Sequence, residues 1–104
     1  MKQSEIVAHA NALKQAKYPN GTTRGACLEA ANDLFQYFFA RGLNCSVQFG
    51  FFKNKKYGHA WFEYWDEEQQ SQVIVDITAD QFDSTLDIVV GTPESLPHYL
   101  YEND

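Results

Sequence analysis

Cys27, His59 and Asp76 follow one another along the chain, and their side chains are those of a thiol nucleophile, an imidazole base and a carboxylate that orients it. Cys27 comes where Gly25-Ala26 gives way to an amphipathic stretch. The first turn of a helix stabilises a thiolate and lowers the thiol pKa. Its free backbone N–H groups can also hold a developing oxyanion. His59 opens the aromatic run His59-Ala60-Trp61-Phe62-Glu63-Tyr64-Trp65, and Asp76 lies inside Val73-Ile74-Val75-Asp76-Ile77-Thr78-Ala79. A carboxylate inside such an apolar run is costly to bury without a partner. If the three side chains meet, they form a machine for acyl transfer through a thioester.

The elements that must bring them together can be read from periodicity. Ser4 is a candidate cap for a first helix to about Lys17, with Ile6, Ala10, Leu13 and Lys17 on one side. Residues 18–25 form a loop by their Pro, Asn and Gly content. A second helix is predicted from about Ala26 to Arg41; Cys27, Ala31, Leu34, Phe35 and Phe38 make its apolar stripe, and Gly42 is the stop. Three strands follow, Ser46 to Lys53, Gly58 to Trp65 and Gln72 to Ala79, joined by short polar loops that imply an antiparallel meander. Leu86 to Val90 reads as a further short strand, and Thr92-Pro93-Glu94-Ser95 as the start of a helical turn ending near Tyr101. The fold class is α+β, with N-terminal helices packed on an antiparallel sheet in one domain spanning residues 1–104.

Strand parity tests whether His59 and Asp76 share a face. The loop 66–71 holds an even number of residues, so in an unbulged hairpin odd positions of one strand face even positions of the next. His59 then lies opposite Thr78, and Asp76 opposite Trp61. The two are diagonal neighbours, roughly 7–8 Å apart at the backbone and within side-chain reach. Cys27 falls on the stripe that packs on the sheet and points toward it.

Simpler roles compete at each position. Cys27 could be a small core residue, His59 a structural histidine, and Asp76 a cap toward Thr78. Trp61, Phe62 and Trp65 read as core and groove wall, Glu63 as a solvated or rim position, and Asp66-Glu67-Glu68 as a solvated turn. Phe38-Phe39 and Phe51-Phe52 read as core. Cys45, His9 and His98 carry no signal of their own.

Composition narrows the field. The chain has 104 residues, 44% hydrophobic and 15% aromatic, enough for one modest core. Its net charge of −6 argues against nucleic acid or an anionic membrane as partner and fits a basic or neutral one. No segment approaches the roughly 20 apolar residues of a membrane span, and no apolar core follows Met1–Glu5. The expected location is cytoplasmic, or wherever a larger exported protein would deliver the domain. Two cysteines and three scattered histidines suggest neither a disulfide framework nor a metal site, and no cofactor is expected.

At these residues the chain resembles the transglutaminase-like branch of the papain-like cysteine enzymes, in small bacterial form. The matches are Gly25-Ala26-Cys27, Gly42, His59-Ala60-Trp61-Phe62-Glu63 and Asp76-Ile77-Thr78, with Val75 to Phe82 similar to an extended aspartate motif. The resemblance covers roughly residues 20–82. It implies a papain-like core, Cys27 as nucleophile, His59 as general base and acid, and Asp76 as its orienter. It also implies an oxyanion hole that includes the Cys27 N–H. Tyr18 or Asn20 are candidates for a second donor, and Trp61 for substrate contact. The substrates implied are peptides or other amides. The near-minimal length implies that a partner protein supplies part of the recognition.

Three functional readings follow. A thiol acyl-transfer enzyme would act as peptidase or deamidase with water, or as transglutaminase with an amine. An acidic, non-catalytic module on the same scaffold would bind a basic partner, as an immunity or regulatory protein does. A toxin effector domain would turn the same chemistry on another cell's proteins.

Overall fold

The structure is a computed structural model that describes residues 1–19, 23, 25–52, 57–96 and 99–100. Helix α1 spans Gln3–Lys17 and helix α2 spans Cys27–Phe39. Five strands form one antiparallel sheet: β1 (Cys45–Phe52), β2 (Tyr57–Asp66), β3 (Ser71–Asp76), β4 (Val89–Gly91) and β5 (Tyr99–Leu100), in the order β4-β3-β2-β1-β5. The α+β reading is the observed class.

α1 begins before Ser4, which lies inside the first turn; Lys2 is the extended flanking residue, and its N–H donates to Glu5 Oε1 at 3.4 Å. The buried stripe is Ile6, Ala10 and Lys14, at a spacing of four residues. Lys14, not Lys17, is the lysine on the inner side. Its ammonium reaches Asp87 at 3.1 Å and Asp80 at 3.5 Å and donates to the Asp87 carbonyl at 3.2 Å, which ties α1 to the chain beyond β3. Lys17 stays outside with Asp33 and Glu29.

α2 buries Ala30, Ala31, Leu34 and Phe38 against β2 and β1. Phe38 packs 5.7 Å from Phe62, ring centre to ring centre. Gly42, at φ +85°, ends the helix: its N–H donates to Phe39 O, and that of Leu43 to Phe38 O. The sheet sends Phe62, Tyr64, Val73 and Val75 to this helical side. Its other side holds Trp61, Ile74 and Val89, covered by Ala79, Phe82, Leu86 and Leu96 from the chain after β3. Phe39 is the exception to the expected core role of the phenylalanine pairs. It is 62% exposed, because the adjacent helix position turns out of the stripe; the Phe52 side chain lies outside the described residues.

Phe62 pairs with Val75 and Glu63 with Ile74, the register expected from the even loop. The turn is held by Asp66, which accepts the N–H groups of Glu68 at 2.9 Å and Gln69 at 3.2 Å. Asp66 is therefore buried, unlike its solvated neighbours Glu67 and Glu68. β3 stops three residues earlier than predicted. The Asp76 carboxylate accepts the Thr78 N–H at 2.9 Å, which turns the chain out of the ladder and into a 3₁₀ turn at Ala79–Gln81. The next strand lies at Val89–Gly91 and not at 86–90. Among the described residues after Thr92, 93–95 form a turn and Tyr99–Leu100 is extended and pairs with β1; the predicted end near Tyr101 lies outside the described residues. Among the described residues no helix is long and apolar enough to cross a membrane.

The two adjacent phenylalanines of α2 give a direct test of this packing. Phe38→Ala, at a side chain 1% exposed, is expected to destabilise the protein by about 3–5 kcal/mol in urea unfolding. Phe39→Ala, one residue on, is expected to stay within about 0.5 kcal/mol of the parent.

Candidate active site

The backbone sets the site before any side chain does. The Trp65 N–H donates to Asn44 O at 2.9 Å, in line with the β1–β2 register. Antiparallel pairing alternates, so the backbone groups of His59, Trp61 and Glu63 face β1 and those of Ala60, Phe62 and Tyr64 face β3. Continued register would pair Ala60 with Ile77. β3 has already ended at Asp76, so the sheet is split at that point. The first residue of α2 fills the split: the Ala60 N–H is directed at the Cys27 sulfur, and so is the N–H of Leu28 from the first helical turn.

His59 and Asp76 share the odd face of β2, on the side away from the main helical packing. His59 Nε2 lies 2.5 Å from Asp76 Oδ2. The other carboxylate oxygen, Oδ1, accepts the Thr78 N–H at 2.9 Å and the Thr78 hydroxyl at 3.2 Å. The imidazole is wholly buried, packed edge-on against Phe82 at 4.8 Å. With Nε2 committed to Asp76, Nδ1 is the ring nitrogen on offer to the thiol, and the Cys27 side chain and the His59 ring interact electrostatically. Cys27, His59 and Asp76 are thus brought together across the split at one end of the sheet, and not on the face that the helix stripe covers.

The electrostatics follow from these contacts. Burial alone would lower the His59 pKa; the interactions with Asp76 and Cys27 outweigh it and push the pKa up to about 9. The interaction with His59 lowers the Cys27 pKa, assisted by the Ala60 and Leu28 N–H groups and opposed by burial. Cys45 serves as an internal comparison, since burial raises its pKa. The arrangement favours a thiolate beside an imidazolium whose Nε2–H donates to Asp76.

A second set of bonds connects the carboxylate back to the approach to the cysteine. The Gln81 Nε2 donates to Thr78 Oγ1 at 3.1 Å, and Gln81 Oε1 accepts the Gly25 N–H at 3.0 Å. Gly25 sits at φ +75°, a left-handed conformation that suits glycine. Next to Gln81, Asp80 accepts the Thr23 hydroxyl at 2.6 Å. The contacts run from Gly25 through Gln81, Thr78 and Asp76 to His59 and Cys27, and the chain itself joins Cys27 back to Gly25 through Ala26. Gln81 lies within the Val75 to Phe82 stretch that resembles an extended aspartate motif, but its partners Gly25 and Thr78 show only in three dimensions.

The other candidates fall elsewhere. Tyr18 packs in the helical core, where burial raises its pKa, and it does not line the groove at Cys27. Asn20 lies outside the described residues. Trp61 is 1% exposed, stands 5.8 Å from the His59 ring and donates its indole N–H to Glu63 at 3.0 Å, so it backs the site and does not face solvent. That bond also corrects the reading of Glu63 as a rim residue: it is buried, on the covered face that β2 parity assigns to it. A groove of about 280 Å³ opens over the thiol, between Leu28 and Phe49, with Cys27, His59, Gly58 and Ala60 at its floor and walls. No family model, curated protein or solved structure matches the chain.

Two substitutions test this geometry. Asp76→Asn removes the charge opposite His59, so the imidazolium, titrated by NMR of the ring protons, is expected to lose its proton well below pH 9, toward the ordinary value near 6.5. Gln81→Leu opens the circuit and is expected to raise the Cys27 pKa in pH-dependent alkylation, while unfolding measurements register only about 1 kcal/mol for the lost hydrogen bonds.

Proposed function

We propose that this protein is a thiol-based acyl-transfer enzyme on a transglutaminase-like, papain-type core, acting on a peptide or other amide. The observation that carries the reading is the chain of contacts from Asp76 through His59 to a Cys27 thiol at a helix N-terminus. A buried carboxylate, an imidazole with a raised pKa and a thiol with a lowered one are the matched set that nucleophilic catalysis by cysteine requires.

In this reading the Cys27 thiolate attacks the amide carbonyl. The sulfur–carbon bond forms, and negative charge collects on the carbonyl oxygen. N–H groups of the first turn of α2 would supply donors for that charge. The carbon–nitrogen bond then breaks as the His59 imidazolium gives its proton to the departing amine. A thioester remains on Cys27, with His59 neutral. Water or a second amine loses a proton to His59 and attacks the thioester, and the thiolate departs. Asp76 holds the ring through both proton transfers and does not itself exchange a proton. Attack by water is hydrolysis or deamidation; attack by an amine is transamidation.

The working window lies between the lowered pKa of Cys27 and the raised pKa of His59, about 9. Activity is expected to rise as the thiol ionises and to fall as pH passes through about 9, where the imidazolium is lost. The test is the pH dependence of Cys27 alkylation by iodoacetamide, in the parent protein and in His59→Ala. A depressed thiol pKa that rises in His59→Ala supports the enzyme; an ordinary pKa in both overturns it in favour of the acidic, non-catalytic binding module. Cys27→Ala is expected to abolish turnover in a screen of peptide and amide substrates while leaving the fold intact.

A further inference from the structure

Among the described residues, the lining of the groove over Cys27 carries no charged side chain besides Cys27 and His59, although the protein has a net charge of −6. Two large apolar side chains stand open to solvent on its rim: Leu28, 52% exposed on the outer side of the first turn of α2, and Phe49, 46% exposed on β1. Isolated exposed apolar residues are ordinary. These two share one groove, and the nucleophile lies in it.

The floor is kept low by a glycine. Gly58, on β2, lies one residue before His59, and a Cβ built there meets no atom within 4 Å. Its backbone is not in the left-handed region, so the fold places no conformational demand for glycine at this position. The absent side chain leaves open space beside the thiol. At about 280 Å³ the groove is at the small end for a ligand site, the size for one bulky group and not for an extended cofactor.

On the reading of the site as an acyl-transfer centre, we infer that the groove selects substrates with a bulky, uncharged, apolar group next to the carbonyl that Cys27 attacks. An aromatic or branched aliphatic group would cover Leu28 and Phe49 and leave water. A carboxylate or ammonium would lose hydration there and find no opposite charge among the described lining residues other than the catalytic pair. The apolar group also works toward the chemistry, because it removes water from the thiolate–imidazolium pair while the carbonyl is attacked.

The experiment uses electrophiles, so that it depends on no particular natural substrate. Iodoacetamide, N-(2-phenylethyl)iodoacetamide and N-(iodoacetyl)glycine each alkylate a thiolate, with sulfur displacing iodide. Second-order rates at Cys27 are followed by peptide mass spectrometry at pH 7, and the Cys45 peptide in the same digest supplies each reagent's rate at a thiol outside the groove. The phenylethyl reagent is expected to outpace iodoacetamide at Cys27 by about tenfold beyond the ratio at Cys45, as burial of part of an aromatic ring allows. The carboxylate reagent is expected to be the slowest of the three. Phe49→Ser should reduce the phenylethyl preference severalfold, and Gly58→Val, which fills the floor, should abolish it. A Cys27 preference equal to that of Cys45, or one that survives both substitutions, overturns the inference. The acyl-transfer reading stands or falls separately on the thiol pKa: a depressed pKa without the preference removes only the assignment of the groove.

Discussion

The structure depends most on how the Asp76 carboxylate is satisfied. A carboxylate 2% exposed among valines and isoleucines is tolerable only if its oxygens are occupied by strong donors. Oδ1 takes both the N–H and the hydroxyl of Thr78, and Oδ2 takes the His59 ring. The first choice ends β3; the second fixes the imidazole. The end of β3 in turn leaves the Ala60 N–H without a strand partner in register, and the start of α2 occupies the place where one would have been. One buried charge therefore decides where the sheet stops, which way the ring points and where the thiol sits.

The two cysteines show how much of thiol chemistry is environment. Both are half-buried, and both sit at the start of a regular element. Cys45 begins a strand, where nothing compensates burial, and its pKa rises. Cys27 begins a helix, faces an imidazole and receives two backbone N–H groups, and its pKa falls despite the same kind of burial cost. The difference lies in hydrogen bonds from groups already fixed by the fold, so no reorganisation is needed to stabilise the anion.

Much of this was legible before the structure. The even loop 66–71 is enough to set the β2–β3 register, and that register makes His59 and Asp76 neighbours. The stripe of α2 and its glycine stop follow from spacing alone. The end of β3 was missed because Ile77 and Ala79 continue the apolar alternation, while the force that bends the chain is a side chain bonding to its own backbone two residues on. Trp61 and Glu63 read as groove and rim in the sequence because nothing there reveals that residues 79–96 fold back over their face of the sheet. Periodicity points to Lys17 and not Lys14, because an inward lysine is explicable only where Asp80 and Asp87 converge on it. Gln81 is the extreme case: both its partners, Gly25 and Thr78, are known only from the fold.

Burial also has a direction across the site. Asp76 and His59 are closed off from water, while Cys27 is half-exposed at the wall of an open groove. Bulk water would compete for both ends of the carboxylate–imidazole hydrogen bond and weaken it, so this end is best kept dry. A nucleophile must meet its substrate, so the sulfur cannot be enclosed. The split sheet meets both demands. The ordered strands keep water from the charged pair, and the gap between them admits a helix end whose first side chain reaches the surface. Within the proposed chemistry, a proton moves along this gradient, from the exposed sulfur to the buried ring, and the substrate need only close the open side.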